Sequence, residues 1–185
     1  KLIYTLLAFA TVCFSCVQDV DDVYDKPVAQ RVEEAVQEYH DLLVSSEHGW
    51  LMEYYPHSSQ IYGGFNYIMK FKGGDKVTIS TDAFGKPEET EASLFSIKKD
   101  IGPTLNFDTY NSLFHYFSDS DISGGAGTGK GYEGDYEFLL RSHTENEIVL
   151  RGKKTKNIIR MTRLAEDATP YLAAAIRVDE EMNRL

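Results

Sequence analysis

Residues 63–82 read Gly63-Gly64-Phe65-Asn66-Tyr67-Ile68-Met69-Lys70-Phe71-Lys72-Gly73-Gly74-Asp75-Lys76-Val77-Thr78-Ile79-Ser80-Thr81-Asp82. Phe65, Tyr67, Met69 and Phe71, and then Val77 and Ile79, recur at every second position. That period sends one side of an extended strand into a core and leaves the other in water. Gly73-Gly74 between the two runs reads as a tight turn, so strands over 63–72 and 75–82 form an antiparallel hairpin.

The same alternation extends in both directions, through Trp50/Met52/Tyr54, Tyr136/Phe138/Leu140 and Ile148/Leu150. Eight strands are predicted, over 49–56, 63–72, 75–82, 92–99, 103–108, 134–142, 146–152 and 156–164. Short connections such as Lys153-Lys154-Thr155 make consecutive strands antiparallel neighbours. Eight is a number that closes into a cylinder, filled by side chains or holding one small ligand, and closure removes the exposed edges of an open sheet. The expected fold is therefore mainly β, an eight-stranded antiparallel up-and-down barrel, with two stacked sheets as the alternative. Its one long interruption, Thr109 to Glu133, comprises a short helix or turn over Tyr110–Phe117 and a loop over Ser118–Gly131, and is expected at one barrel mouth.

Helices flank the strands. Val28, Val32, Ala35, Val36, Tyr39, Leu42 and Leu43 make one helical stripe, with Asp25 and Pro27 suited to its start. At the far end Thr169 is expected as an N-cap before Pro170, with Leu172, Ala175, Ile176 and Met182 forming a second stripe. The pattern is still open at Leu185, and the expectation is that the full protein continues. The organisation predicted is a leader over 1–15, a tether over 16–26, a helix-plus-barrel domain over 27–168 and a C-terminal helix over 169–185.

The 185 residues suit one globular domain at roughly 100–200 residues per domain. With 19 Lys and Arg against 29 Asp and Glu, the net charge of −10 supplies no field for phosphate backbones, so nucleic acid is not an expected partner. Leu2 to Phe14 carries no charge and falls short of the roughly 20 apolar residues a spanning helix needs, which suits a secretory signal peptide behind Lys1. The only cysteines are Cys13 and Cys16. Cys16 follows the small Ser15, as a lipoprotein signal-peptidase site requires, although Cys13 stands where Leu is usual. Cys16 is thus the predicted lipidation site, carrying a palmitate-type acyl chain that anchors the protein to a membrane. The acidic run Val17-Gln18-Asp19-Val20-Asp21-Asp22 resembles export signals that take some Bacteroidetes lipoproteins to the outer face of the outer membrane, with a solvated tether as the other reading.

A helix leading into Gly49-Trp50 at the first strand, eight up-and-down strands and a closing helix resemble the lipocalin-like plan. A nearer likeness lies in particular words: Gly49-Trp50 with Tyr54-Tyr55-Pro56, Gly63-Gly64-Phe65-Asn66-Tyr67, Gly102 to Asn111, His115-Tyr116-Phe117-Ser118, Gly134-Asp135-Tyr136-Glu137-Phe138 and Leu150-Arg151-Gly152-Lys153-Lys154. Together, from Asp19 to Leu164, they resemble domain of unknown function 4302, a family of Bacteroidetes lipoproteins. The resemblance implies an outer-membrane-associated lipoprotein of gut bacteria, often encoded near outer-membrane nutrient-uptake systems, and brings no catalytic residues.

Chemistry-bearing patterns are sparse. Gly124 to Lys130 has the spacing of a phosphate-binding loop, but Gly131 stands where the Mg²⁺-binding hydroxyl belongs and no apolar strand precedes it. Asp119, Asp121 and Ser123 before Gly124 match the first half of a Ca²⁺ loop, whose twelfth position is Lys130 rather than a bidentate Glu. Glu133, Asp135 and Glu137 could serve a glycosidase, though an inward Tyr136, Phe138 and Leu140 would leave all three on the wet face. His40, His48, His57, His115 and His143 show no zinc spacing, and no Gly-x-Ser-x-Gly elbow occurs. No cofactor is expected. The candidate binding residues are Tyr110, Asn111, His115 and Tyr116 in the mouth segment, where rings and amide groups could meet a ligand entering the barrel or simply cap it. The function these features point to is a non-catalytic surface lipoprotein that binds a nutrient ligand or docks on an uptake complex. The other readings are an assembly module presenting a further domain and, third, a hydrolase.

Overall fold

The computed structural model describes residues 26–184. Helix α1 (Val28–Val44) leads into β1 (Trp50–Tyr54), β2 (Phe65–Lys72), β3 (Lys76–Thr81), β4 (Glu91–Lys99) and β5 (Pro103–Phe107). A single helical turn, α2 (Ser112–His115), precedes β6 (Glu137–His143), β7 (Glu147–Gly152) and β8 (Ile158–Arg163), and α3 (Thr169–Met182) follows. Every strand pairs antiparallel with the next, and β8 returns to β1 with Arg163 opposite Trp50 and Arg160 opposite Glu53. The eight expected strands are all present and the sheet is a closed barrel, so the stacked-sheet alternative does not form. The expected leader over 1–15, Cys16 and the tether apart from Lys26 lie outside the described residues.

The alternating positions fill the barrel. Trp50, Met52 and Tyr54 from β1, Tyr67, Met69 and Phe71 from β2, and Phe138, Leu140, Ile148, Leu150, Ile159 and Met161 from the last three strands are all buried. Burying a large apolar side chain contributes about 1.5–3 kcal/mol, so a row of such positions drives closure. The polar ends of three core rings reach the two ends of the barrel. Trp50 Nε1 donates to Leu43 O at 3.0 Å, while the Tyr54 and Tyr67 hydroxyls donate to Asp135 O at 3.1 Å and Leu113 O at 2.9 Å. Burial pushes both tyrosine hydroxyls far above their ordinary pKa, so both stay protonated and able to donate.

One end is closed by α1. Tyr39 and Leu43 join the core, and His40 stacks on Phe95 with ring centroids 5.8 Å apart. The rim is tied by His40 to Asp75 at 3.2 Å, His143 to Glu38 at 3.3 Å and a Lys99–Glu33 pair. Only the C-terminal half of the expected stripe is buried, and Val28 is exposed. Gly49, between α1 and β1, has φ +86°, and a Cβ there would lie 2.6 Å from Met69 O. Only glycine fits both the backbone conformation and that close approach.

Helix α3 lies against the outer wall. Ala168 and Leu172 pack with Ile68, Leu51 and Leu164. Its N-cap is Ala168 rather than the expected Thr169, because the Thr169 hydroxyl donates back to Asp167 Oδ1 at 3.0 Å and leaves Thr169 inside the helix. Among the described residues no helix is long and apolar enough to cross a membrane.

Candidate functional site

The mouth opposite α1 is built around Asn111. Its side-chain oxygen accepts from Leu113 N at 3.1 Å and Phe114 N at 3.0 Å, capping α2, and its amide donates to Glu91 O at 3.3 Å. Glu91 fixes the same turn by accepting from Ser112 N and its hydroxyl at 2.8 and 2.6 Å. With α2 held in this way, Phe114 enters the barrel and meets the rings of Tyr67, Phe107 and Tyr54 at 5.3, 4.4 and 5.7 Å. Phe117 follows it, stacked on Phe65 at 4.5 Å. The interior is therefore occupied by the mouth segment itself.

The four residues singled out from the sequence do not line one opening. Asn111 is fully buried as the cap. His115 is buried between Tyr110 and Tyr136, at ring distances of 5.4 and 5.5 Å, and its Nδ1 accepts from Asn111 N at 3.1 Å. Burial holds its imidazole below the ordinary pKa. Tyr110 is 60% exposed, with its hydroxyl donating to Asp119 Oδ2 at 2.9 Å. Tyr116 faces away from these, packing on Phe84 and Tyr132 at 5.0 and 5.6 Å.

The candidate Ca²⁺ residues are held by protein donors: Asp119 Oδ1 accepts from Asp121 N at 2.8 Å, and its other oxygen takes the Tyr110 hydroxyl. Asp121 and Ser123 are exposed on the loop. Among the described residues no group of three His, Cys, Asp or Glu is arranged to hold a metal.

The three carboxylates at 133–137 require a correction. Asp135 is only 3% exposed and Tyr136 is 45% exposed, the reverse of the alternation expected. The cause is that β6 begins at Glu137, and Glu133 with φ +58° turns the chain before it, so period two does not reach back to Tyr136. Asp135 clasps the β7–β8 turn, accepting from Lys154 N at 2.5 Å, Thr155 N at 3.0 Å and the Thr155 hydroxyl. Glu137 is paired with Lys153 at 3.3 Å, and Glu133 with His57 at 3.4 Å. All three are thus engaged in tying loops together rather than standing free as an acid and base.

The larger opening lies outside the barrel. Between the C-terminal half of α3 and the β2–β3 side of the mouth is a groove of about 600 Å³, within the range of small-ligand sites. Phe65 and Ala83 form its floor, and Tyr171, Ala175, Val178 and Met182 its helical wall. Asp82, Asp179 and Glu180 stand among the lining residues. Asp82 accepts from Asn66 N and Nδ2 at 2.9 and 2.6 Å, yet burial, with the Asp179 carboxylate adding to it, raises its pKa above the ordinary value.

A sequence model described as a domain of unknown function (DUF4302) matches residues 20–184. The chain belongs to this family. Two of the DUF4302-like words meet in space at the clasp just described, since Asp135 reaches the turn after Gly152, where any Cβ would lie 2.1 Å from its Oδ2. No curated protein matches the chain. Among solved structures, japanin from Rhipicephalus appendiculatus bound to cholesterol is similar to 72% of this chain and 89% of its own, at 15% identity and a TM-score of 0.34.

Sequence reasoning missed the groove although its signal was present. Tyr171 and Val178 continue the expected stripe of Leu172, Ala175, Ile176 and Met182 sideways, so that Tyr171, Ala175, Val178 and Met182 follow i, i+4, i+7, i+11 along a second line beside Leu172 and Ile176. The small Ala173-Ala174-Ala175 run cannot fill the space between helix and wall.

Proposed function

We propose that this DUF4302 protein is a non-catalytic binding module, held at the outer-membrane surface of a bacterium by an acyl chain on Cys16, that takes a small apolar ligand in the α3 groove rather than inside the barrel. The observation carrying this reading is the 600 Å³ apolar groove beside a barrel whose interior is filled by its own side chains. Carboxylates of Asp82, Asp179 and Glu180 around that groove favour a neutral or cationic head on the ligand and disfavour an anionic one. A nutrient molecule on its way to an uptake system is the class of ligand this location implies.

The groove is tested by titrating N-phenylnaphthylamine, a neutral apolar fluorophore, into the full chain and into an Ala175→Phe variant that fills the groove. Saturable enhancement in the parent and its loss in the variant are expected. Equal binding by both, or none by the parent, refutes the groove as the site. Anchoring is tested separately by labelling cells with a palmitate analogue, which is expected to mark the wild type and not Cys16→Ser.

Docking on an uptake complex is favoured by one feature, the exposure of Tyr171, Val178 and Met182 along the same helix. On that reading Val178→Asp abolishes co-purification with a membrane complex while leaving the stability of the isolated protein unchanged.

A further inference from the structure

The outer face of the last three strands carries charge opposite to the rest of the protein. From Glu137 to Arg163 there are seven Lys and Arg against three Glu, in a chain whose net charge is −10. Four of these cations, Arg141, Arg151, Lys153 and Lys156, line a single cavity of about 220 Å³ that holds one carboxylate, Asp100.

Backbone register explains the convergence. Leu139 sits opposite Thr104 on one side and Arg151 on the other, which places β5, β6 and β7 around the cavity floor. The β6–β7 register then slips by one residue, with Leu140 opposite Leu150 but Ser142 opposite Val149, so Arg141 is the extra residue of a bulge. Arg141 is two residues beyond Leu139 and shares its outward face, so it joins Arg151, which lies opposite Leu139, at the cavity.

Most of this positive charge has no counter-charge. Lys153 meets Asp100 at 2.9 Å and Glu137 at 3.3 Å. Arg151 donates only from Nε, to Lys156 O at 3.4 Å, and the Lys156 ammonium donates to Lys153 O. Arg141 makes no hydrogen bond or ion pair among the described residues. Like charges held together without a partner repel one another, and two guanidinium groups offer paired donors in the geometry that tetrahedral oxyanions accept. Ile101, 92% exposed, adds an apolar wall beside the cations.

We propose that this cavity binds the phosphate group of a phosphate ester, at a site separate from the α3 groove, which lies on the β2–β3 side of the mouth. The ester is either a soluble phosphorylated molecule or the headgroup of an anionic lipid, and the chemistry of recognition is the same for both.

The test uses the full chain carrying Cys16→Ser, so that no acyl anchor contributes to membrane association, at low ionic strength because salt screens exposed charges. Inorganic phosphate and pyrophosphate are titrated calorimetrically, and sedimentation is measured with phosphatidylcholine vesicles with and without phosphatidylglycerol. Saturable phosphate binding is expected, weakened about tenfold or more in R141Q/R151Q, as loss of charge-assisted hydrogen bonds implies. The variant K72Q/K76Q makes the same change in net charge on the β2–β3 turn and is expected to bind as the parent does. Phosphate binding without vesicle association identifies a soluble ester; vesicle association that requires phosphatidylglycerol and is displaced by pyrophosphate identifies the lipid headgroup. No saturable binding of either anion, or equal weakening in the two double variants, overturns the proposal. Neither arginine supports the core, and R141K/R151K, which keeps the charges but not the forks, is expected to retain part of the affinity.

Discussion

Replacing Phe114 by Ala tests whether the mouth segment is part of the core or a cover laid over it. Phe114 is fully buried, and its ring lies within 4.4–6.0 Å of the Phe107, Tyr67, Tyr54 and Phe138 rings. Truncating a buried Phe removes the transfer free energy of the ring and leaves a cavity, together about 3–5 kcal/mol. For a domain of this size each kcal/mol lowers the midpoint by about 2–4 °C, so a fall of roughly 6–20 °C is expected. Urea unfolding followed by tyrosine and tryptophan fluorescence measures the loss directly, with an unchanged denaturant slope showing that stability alone has altered. Tyr110→Ala, on the exposed side of the same segment, is expected to change stability by no more than about 0.5 kcal/mol. Were Phe114→Ala to cost as little as Tyr110→Ala, the segment would be a detachable lid and the barrel beneath it would be open to ligands.

Three further outcomes follow from the same region. Asn111→Ala leaves the Leu113 and Phe114 N–H groups without their acceptor in a buried cap and is expected to cost about 2 kcal/mol by chemical denaturation, with Asn111→Ser recovering part. His115 takes its proton near 6.5 in the unfolded chain but only at lower pH when buried. Stability should therefore be unaffected by this group above 6.5 and fall as pH drops below it, a slope that urea midpoints should show in the wild type and find reduced in His115→Gln. Gly134→Ala would set a Cβ 2.2 Å from the Tyr54 hydroxyl oxygen and 2.9 Å from Phe117 O, and is expected to cost about 1–3 kcal/mol as overpacking, read from its melting temperature.

The barrel is legible because the strands of its β2–β3 hairpin keep one period throughout: Tyr67, Met69, Phe71, Val77 and Ile79 are buried where period two puts them. The rule misled only where a strand was extended too far, at Asp135 and Tyr136, since the turn at Glu133 is a backbone event that side-chain polarity does not announce. Asn111 shows a different limit. An Asn before a short helix is a capping signal, and that role takes up the very groups that could otherwise serve a ligand. The α3 groove was written in the sequence as a second stripe but depended on where the helix came to rest. The bulge at Arg141 could not be read at all, because register belongs to two strands at once and neither β6 nor β7 contains it alone.

The chain enters and leaves the barrel at neighbouring points: Leu164 N donates to Gly49 O at 3.0 Å, and β1 meets β8 through only four residue pairs. Because Trp50 at the start of β1 lies opposite Arg163 at the end of β8, tension applied between α1 and α3 is loaded onto one end of that seam and peels it pair by pair, while the other seven interfaces bear almost none of it. Pulled apart by its two helices, the protein would open like a zip along a single line, keeping its aromatic interior wrapped by the remaining strands until the seam parts.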